Sequence, residues 1–127
     1  ARERYTALIE RAERPVDRVH YRFELASVLS QADRHDEAIA LLRDALMDTG
    51  GEADLEWDSR LRLAEALRGA EDMEAEIEVL EGLRDAEGVP PRVLGQALVA
   101  LAEAHVRPGP RAPLHGEGLR RGARPRA

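Results

Sequence analysis

The sequence contains no cysteine, no lysine and no asparagine, and aromatic side chains make up only 3% of its 127 residues. The absence of cysteine excludes disulfides and thiolate metal sites and is compatible with a reducing compartment. With so few aromatic residues, leucine, alanine, valine and isoleucine must fill the core. No apolar run approaches the roughly 18 residues that a membrane-spanning helix needs. We therefore expect a cytoplasmic protein without a membrane partner.

Charge is unevenly distributed along the chain. Residues 1–106 carry 13 arginines against 24 acidic residues, whereas residues 107–127 carry six arginines against Glu117 alone. Contacts with phosphates supply most of the affinity of nucleic-acid-binding proteins, so they require a basic surface. The acidic balance therefore argues against a nucleic acid as a partner of residues 1–106.

Apolar residues recur at helical spacing in five stretches, which are separated by polar or Gly/Pro-rich breaks. In the stretch 35–46, "HDEAIALLRDAL", one helical face carries Ala38, Ile39, Leu42, Ala45 and Leu46. The predicted helices cover about 18–31, 35–46, 54–67, 72–85 and 91–106. A proline is well placed to start the fifth helix. Because no stretch alternates as a half-buried strand does, the predicted fold class is all-α.

One constant offset aligns different parts of the chain. A 38-residue shift places Leu25 on Leu63 and then on Leu101, and each of these leucines is followed by an alanine. The same shift places Leu42 on Leu80. An offset that aligns two different helices and the turn between them indicates that the repeating unit is a helical hairpin. Such a unit cannot bury its apolar face alone, so we expect stacked antiparallel hairpins.

The small residues of the first hairpin carry a resemblance to a known family. The residues concerned are Leu25, Ala26 and Leu29 in its first helix and Ala38, Leu42 and Ala45 in its second. This pattern resembles the tetratricopeptide repeat (TPR) family, in which the alanines lie where paired helices cross closely. The 38-residue spacing exceeds the family's usual length of about 34, and in this it resembles divergent repeats of large bacterial signalling regulators.

The resemblance implies a TPR-like α-solenoid fragment over residues 1–106. It implies full repeats near 19–50 and 57–87 and the first helix of a third at 91–106. In the second repeat, Glu76 takes the place of Ala38 and Leu83 that of Ala45. Residues 2–14 are interpreted as the end of a preceding repeat's second helix.

Residues 107–127 contain four prolines and four glycines. Because Pro108, Pro110 and Pro113 preclude a regular helix there, we interpret this segment as a disordered Arg/Pro/Gly-rich tail. An out-of-frame end and an arm that binds RNA or an anionic membrane are the alternatives. In each case the fifth helix lacks the cover that a following helix supplies, on a face formed by Leu98, Leu101 and Ala102. We therefore expect marginal stability or self-association through this end.

The sequence shows no constellation of catalytic residues. Its four histidines are scattered without metal-ligand spacing. Ser27 and Ser30 have no His–Asp set to activate them. The acidic run of Glu74, Glu76, Glu78 and Glu81 is interpreted as an exposed face. We expect no enzyme activity, no metal, no cofactor and no small-molecule substrate.

In the family that the chain resembles, the first helices of successive hairpins line a concave groove. In register with the family, the expected groove residues are His20, Phe23, Ser27, Ser30, Gln31, Asp58, Leu61, Glu65, Arg68, Gln96, Val99 and Glu103. As an alternative, Phe23 and Leu61 pack between repeats. Trp57 is interpreted as an inter-repeat packing residue rather than as a binding hot spot.

These observations predict a non-catalytic protein–protein interaction module, a scaffold or sensor segment of a larger bacterial protein. Phe23, Leu61 and Glu65 favour a helix or a neutral-to-basic peptide as its partner. Family members that clamp acidic chaperone C-termini use basic and amide side chains at positions occupied here by Phe23, Ser27, Leu61 and Glu65, so no such clamp is expected. The alternatives are a purely structural solenoid segment and nucleic-acid association through the basic tail.

Overall fold

The computed structural model describes residues 2–107, and this part of the chain forms six α-helices and no strand. The helices are α1 (Arg2–Arg11), α2 (Pro15–Gln31), α3 (His35–Met47), α4 (Ala53–Gly69), α5 (Met73–Asp85) and α6 (Pro91–Val106). The predicted all-α class is confirmed. None of these six helices combines the length and the apolar character needed to cross a membrane. The predicted tail lies outside the described residues except for Arg107.

The 38-residue offset holds at the bounds of the helices. Shifted by this offset, the first and last residues of α2 fall on those of α4, and the first and last residues of α3 fall on those of α5. The first residue of α4 likewise falls on that of α6. Helix α2 begins at Pro15 rather than near residue 18. A proline at the first helical position has a suitable φ, and the N–H that it lacks would have no partner there. The hairpins therefore repeat without any insertion or deletion.

The turn inside each hairpin repeats as well. In the first turn, the N–H of Arg34 donates to the carbonyl of Leu29 at 2.8 Å. In the second, the N–H of Asp72 donates to the carbonyl of Leu67 at 3.0 Å. Both bonds close the end of a first helix by the same six-residue pattern, a Schellman motif. The second helix of each hairpin therefore leaves its turn in the same direction.

Contacts between the helices define a stack. Each helix packs against the next one along the chain, and α4 also contacts both α2 and α6. Helices α3 and α5 make no such contact with each other in the described part of the chain. The first helices of the hairpins, α2, α4 and α6, therefore lie side by side, while the second helices diverge. This arrangement makes the stack concave on the α2–α4–α6 side.

Small and aliphatic side chains fill the core, as their spacing predicts. Ala38 and Ala45 are fully buried where α3 crosses α2. Leu25, Leu63 and Leu101, which share one register position, are 3%, 5% and 5% exposed. These three leucines are therefore buried to nearly the same extent in three successive units.

The uncovered face predicted for α6 is only partly present. Leu101 packs into the cluster formed by α4, α5 and α6, so the expectation that it lacks cover is wrong. Leu98 is 46% exposed and Ala102 is also exposed. Helix α5 covers one side of α6, whereas no helix within residues 2–107 covers the other.

An ion-pair cluster that was not predicted ties three segments together. The Arg18 guanidinium donates to both carboxylate oxygens of Asp48, at 2.7 and 3.0 Å, and Arg22 donates to the same carboxylate at 2.8 Å. Arg18 also donates to the carbonyl of Ala12 at 3.1 Å. The hydrogen bond from Arg18, with further contributions from Arg22, lowers the pKa of Asp48 to about 2. The cluster joins the α1–α2 connection to the end of α3.

Candidate protein-interaction groove

The concave side of α2, α4 and α6 carries two neighbouring depressions, which together we call the groove. The larger, about 520 Å³, lies between α4 and α6, and the smaller, about 190 Å³, lies between α2 and α4. Arg62 and Glu65 line both of them. The two depressions therefore form one row across the three first helices.

The structure brings most of the predicted groove residues into this row. The larger depression is lined by Asp58, Leu61, Glu65, Arg68 and Gln96, and the smaller by Phe23, Ser27, Ser30 and Glu65. Val99 and Glu103 line a shallow surface along α6, together with Gln96, which also lines the larger depression. His20 and Gln31 are exposed on α2.

The apolar groove position becomes more exposed from one unit to the next. Phe23, Leu61 and Val99 share one register position, at which Phe23 is 4% exposed, Leu61 is half-buried and Val99 is 60% exposed. The guanidinium of Arg62 lies over the Phe23 ring at 4.4 Å from its centroid, as in a cation–π contact. The His20 ring meets the same ring edge-on at 5.8 Å. Phe23 therefore packs between neighbouring units and presents little surface to a partner, whereas Leu61 and Val99 present more.

Two exposed ion pairs bridge the groove from α6 to α4. Arg92 lies 3.7 Å from Asp58, and Arg68 lies 3.4 Å from Glu103. All four side chains are at least 40% exposed. Ion pairs this exposed contribute about 0–1 kcal/mol, so a partner's side chain can replace one half of such a pair at little cost.

Glu65 differs from these paired groups. It is exposed on α4, between the two depressions. Within residues 2–107 it makes no ion pair, and neither does Arg62, one turn before it. The middle of the groove thus carries a carboxylate that can accept hydrogen bonds from a basic group of a partner.

The floor of the larger depression contains a buried charge. Glu76 is 2% exposed and forms an ion pair with Arg107, the residue that follows α6. The prediction that Glu76 belongs to an exposed acidic face is wrong, although Glu74 and Glu78 are exposed and Glu81 is half-buried. Glu76 faces α4 because it occupies the register position of the fully buried Ala38. The 38-residue offset aligns Glu76 with Ala38 in the sequence, and this alignment indicates a buried position for Glu76.

Arg107 begins the predicted tail, but its side chain is only 25% exposed. One of its terminal nitrogens, Nη1, is buried without a hydrogen-bond partner. This pair ties the end of α6 to α5 beneath the groove. No signal in the sequence couples two residues so far apart along the chain.

Trp57 lies on α4 at the register position of Val19. It is 8% exposed and packs in the cluster of α4, α5 and α6, with the Arg60 guanidinium 5.7 Å from its ring centroid.

In the described part of the chain, no three histidine or acidic side chains are grouped so that they could hold a metal ion.

No protein-family description, curated protein or solved structure matches this chain significantly.

Proposed function

We propose that this chain is a non-catalytic protein-interaction module that binds a segment of a partner protein in the groove of α2, α4 and α6. The observation that supports this proposal is the row of two depressions that share Arg62 and Glu65. A row across three parallel helices accommodates an extended or helical segment rather than a small compact molecule.

The proposal includes a family and a setting. A hairpin that repeats at the 38-residue offset, with alanines where its helices cross, supports a divergent tetratricopeptide repeat of the bacterial type. We place it in a cytoplasmic scaffold or in the sensor segment of a larger protein. The absence of cysteine supports a reducing compartment.

The chemistry of the groove favours a neutral-to-basic partner. Residues 2–107 contain 14 arginines against 24 acidic residues, so their field attracts cationic segments. Glu65 offers a carboxylate without an ion-pair partner within residues 2–107, and Leu61 offers a half-buried apolar side chain one helical turn away. A segment with an apolar residue and a lysine or arginine one turn apart would satisfy both.

The test is a selection of peptides from a random display library, followed by fluorescence anisotropy with the selected peptides. Leu61→Glu is expected to weaken binding at least tenfold, because it puts a charge against the apolar contact. Glu65→Arg is expected to weaken binding of basic peptides, and this effect should shrink as salt is added. Ala40→Glu, on the exposed side of α3, is the matched control and should bind as the wild type does.

Two results would count against the proposal. If the library yields no enriched peptide, the chain acts as a structural solenoid segment instead. If selected peptides bind Leu61→Glu normally but lose affinity for Ala40→Glu, the binding surface is the outer side and not the groove. Circular dichroism of each variant separates loss of binding from loss of fold.

A further inference from the structure

The larger depression of the groove holds a carboxylate at its base. Glu76 of α5 lines this depression and is only 2% exposed, and no other charged residue within residues 2–107 is buried as deeply. Its counter-ion, Arg107, does not line the depression. Glu76 therefore faces the depression, while the charge that neutralises it approaches from outside the cavity.

The Glu76–Arg107 ion pair is incomplete. Within residues 2–107 Arg107 alone donates to the Glu76 side chain, and it reaches one oxygen, Oε1, through one nitrogen. The other terminal nitrogen of Arg107 is buried without a hydrogen-bond partner. An ionised carboxylate has about four acceptor sites, and a buried one is stabilised when its remaining lone pairs are also satisfied. Glu76 can therefore accept further hydrogen bonds from a donor that enters the depression.

The walls of the depression suit the aliphatic part of a long side chain. Leu61, Leu80 and Ala100 line it, and Glu65 lies at its exposed rim. Its volume of about 520 Å³ is within the range of pockets that enclose small ligands. The depression thus offers apolar contact between one carboxylate at the rim and another at the base.

Arginines also line the depression, but each of them is already engaged. Arg68 and Arg92 form the two ion pairs that bridge the groove, and Arg62 lies over the Phe23 ring. Glu65 makes no ion pair within residues 2–107. Among the charged groups of the lining, Glu65 and the second oxygen of Glu76 are therefore the ones open to a new partner.

We infer that the larger depression is a socket for an arginine side chain of the bound partner. The partner's guanidinium donates to Glu76, and its methylene groups pack against Leu61 and Leu80. Two carboxylates, Glu65 and Glu76, then balance two guanidinium groups, that of the partner and that of Arg107. Arginine suits a buried ion pair better than lysine, because its guanidinium is more weakly hydrated and presents its donors in a rigid fork. This socket rests on the proposed function and specifies the basic residue of the partner segment.

NMR titration of the full chain with acetyl-arginine amide tests the socket. The reference probe is acetyl-citrulline amide, which has a similar shape without the charge. The arginine probe should shift the amide signals of Leu61 and Leu80. It should bind about tenfold more tightly than the citrulline probe, because charged donors form stronger hydrogen bonds to a carboxylate.

Two variants separate the charge of Glu76 from the space above it. Glu76→Gln keeps the shape of the side chain and removes its charge, so it should weaken binding of the arginine probe about tenfold. Glu78→Gln makes the same change on the exposed face of α5 and is the matched control. Ala100→Leu should also weaken binding, because it narrows the depression and leaves the Glu76–Arg107 pair intact. Arg62 occupies the same register position on α4, so a long side chain fits there.

Three results would overturn the socket. These are no saturable binding of the arginine probe, equal binding by the wild type and a folded Glu76→Gln variant, and tighter binding of acetyl-glutamate amide, which would make the lining arginines the ligands. Library peptides that lose affinity for Leu61→Glu but bind Glu76→Gln as they bind the wild type would support the groove and overturn the socket. A library without any enriched peptide would count against the proposed function, while Glu76-dependent binding of the arginine probe would still support the socket.

Discussion

Asp33 and Glu71, which the 38-residue offset aligns, both adopt the left-handed backbone conformation, with φ of 65° and 62°. Each lies directly beyond the end of a first helix, in the turn that leads to the second helix of its hairpin. Glycine usually occupies this position, because the conformation costs other residues about 1 kcal/mol. Aspartate tolerates it better than glutamate does. The identical turns are thus built without glycine, and the second turn carries the greater strain.

Glu71→Gly should raise the free energy of unfolding by about 0.5–1 kcal/mol, because glycine adopts this conformation without a steric penalty. Chemical denaturation measures the change. The control is Glu78→Gly on the exposed face of α5, which should lower stability by a similar amount. An equal loss of stability in both variants would show that residue 71 does not adopt the left-handed backbone conformation.

Two helical glycines should respond differently to alanine. A Cβ at Gly82 would meet nothing within 4 Å, so Gly82→Ala should stabilise by about 0.5–1 kcal/mol through helix propensity. A Cβ at Gly69 would lie 2.7 Å from the His35 ring, which must then move and lose its 2.9 Å contact with Asp33. We expect Gly69→Ala to be less stable than Gly82→Ala by about 1–2 kcal/mol. Thermal denaturation of both variants checks this, and equal gains would contradict the packing of α4 against the start of α3.

The Arg18–Asp48–Arg22 cluster makes stability depend on pH. The pKa of Asp48 falls from 3.8 to about 2 on folding. A depressed carboxyl pKa stabilises the fold fully above 3.8 and loses this effect as the pH falls towards 2. Asp48→Asn should therefore lower stability near neutral pH by at most about 2 kcal/mol, and by less to the extent that solvent screens the pair.

Denaturation at a series of pH values tests this assignment. The difference between the wild type and Asp48→Asn should shrink as the pH falls from 4 to 2. Asp85→Asn is the control, since the Asp85 side chain is 67% exposed beside Arg84 and should matter little. A difference for Asp48→Asn that stays constant down to pH 2 would show that the carboxylate charge plays no part.

Glu76 and Arg107 should show strong energetic coupling. Arg107→Ala leaves a buried carboxylate without its counter-ion and should cost about 3–5 kcal/mol. Glu76→Ala should cost less, because the guanidinium can turn towards solvent. The double variant Glu76→Ala/Arg107→Ala has an alanine at position 76, as the first hairpin has at the equivalent position 38. Its free energy of unfolding should be close to that of the wild type. A double-mutant cycle measures the coupling, and additive effects would contradict the ion pair.

The repeat could be predicted from the sequence because its signals are local and regular. Leucines and alanines that recur at one constant offset indicate which faces of the helices are buried, and glycines and prolines mark the breaks between hairpins. The apolar periodicity does not predict the early start of α2, because Pro15 precedes the helically spaced apolar residues. A run of alternating glutamates predicts a solvated face, so it conceals the burial of Glu76, which only the alignment with Ala38 indicates.

Other features depend on pairs that no local pattern connects. The bonds from Arg18 and Arg22 to Asp48 span 30 and 26 positions, and the arginine that closes over Phe23 comes from the next hairpin. Side chains this long reach several neighbours, so their partners follow from the packed structure alone. Such contacts also decide which groove residues a partner can touch. Arg62 covers Phe23, whereas Leu61 stays half-buried.

Spin-label distances between positions 27, 65 and 103, which are Ser27, Glu65 and Glu103, test most directly whether α2, α4 and α6 form one row. These residues share one register position, all three are exposed, and the chain has no cysteine to interfere with labelling. With neighbouring helices about 10 Å apart, the 27–65 and 65–103 distances should be nearly equal. Each should be clearly shorter than the 27–103 distance. Unequal short distances, or a 27–103 distance no longer than the others, would contradict the row and remove the basis of the groove.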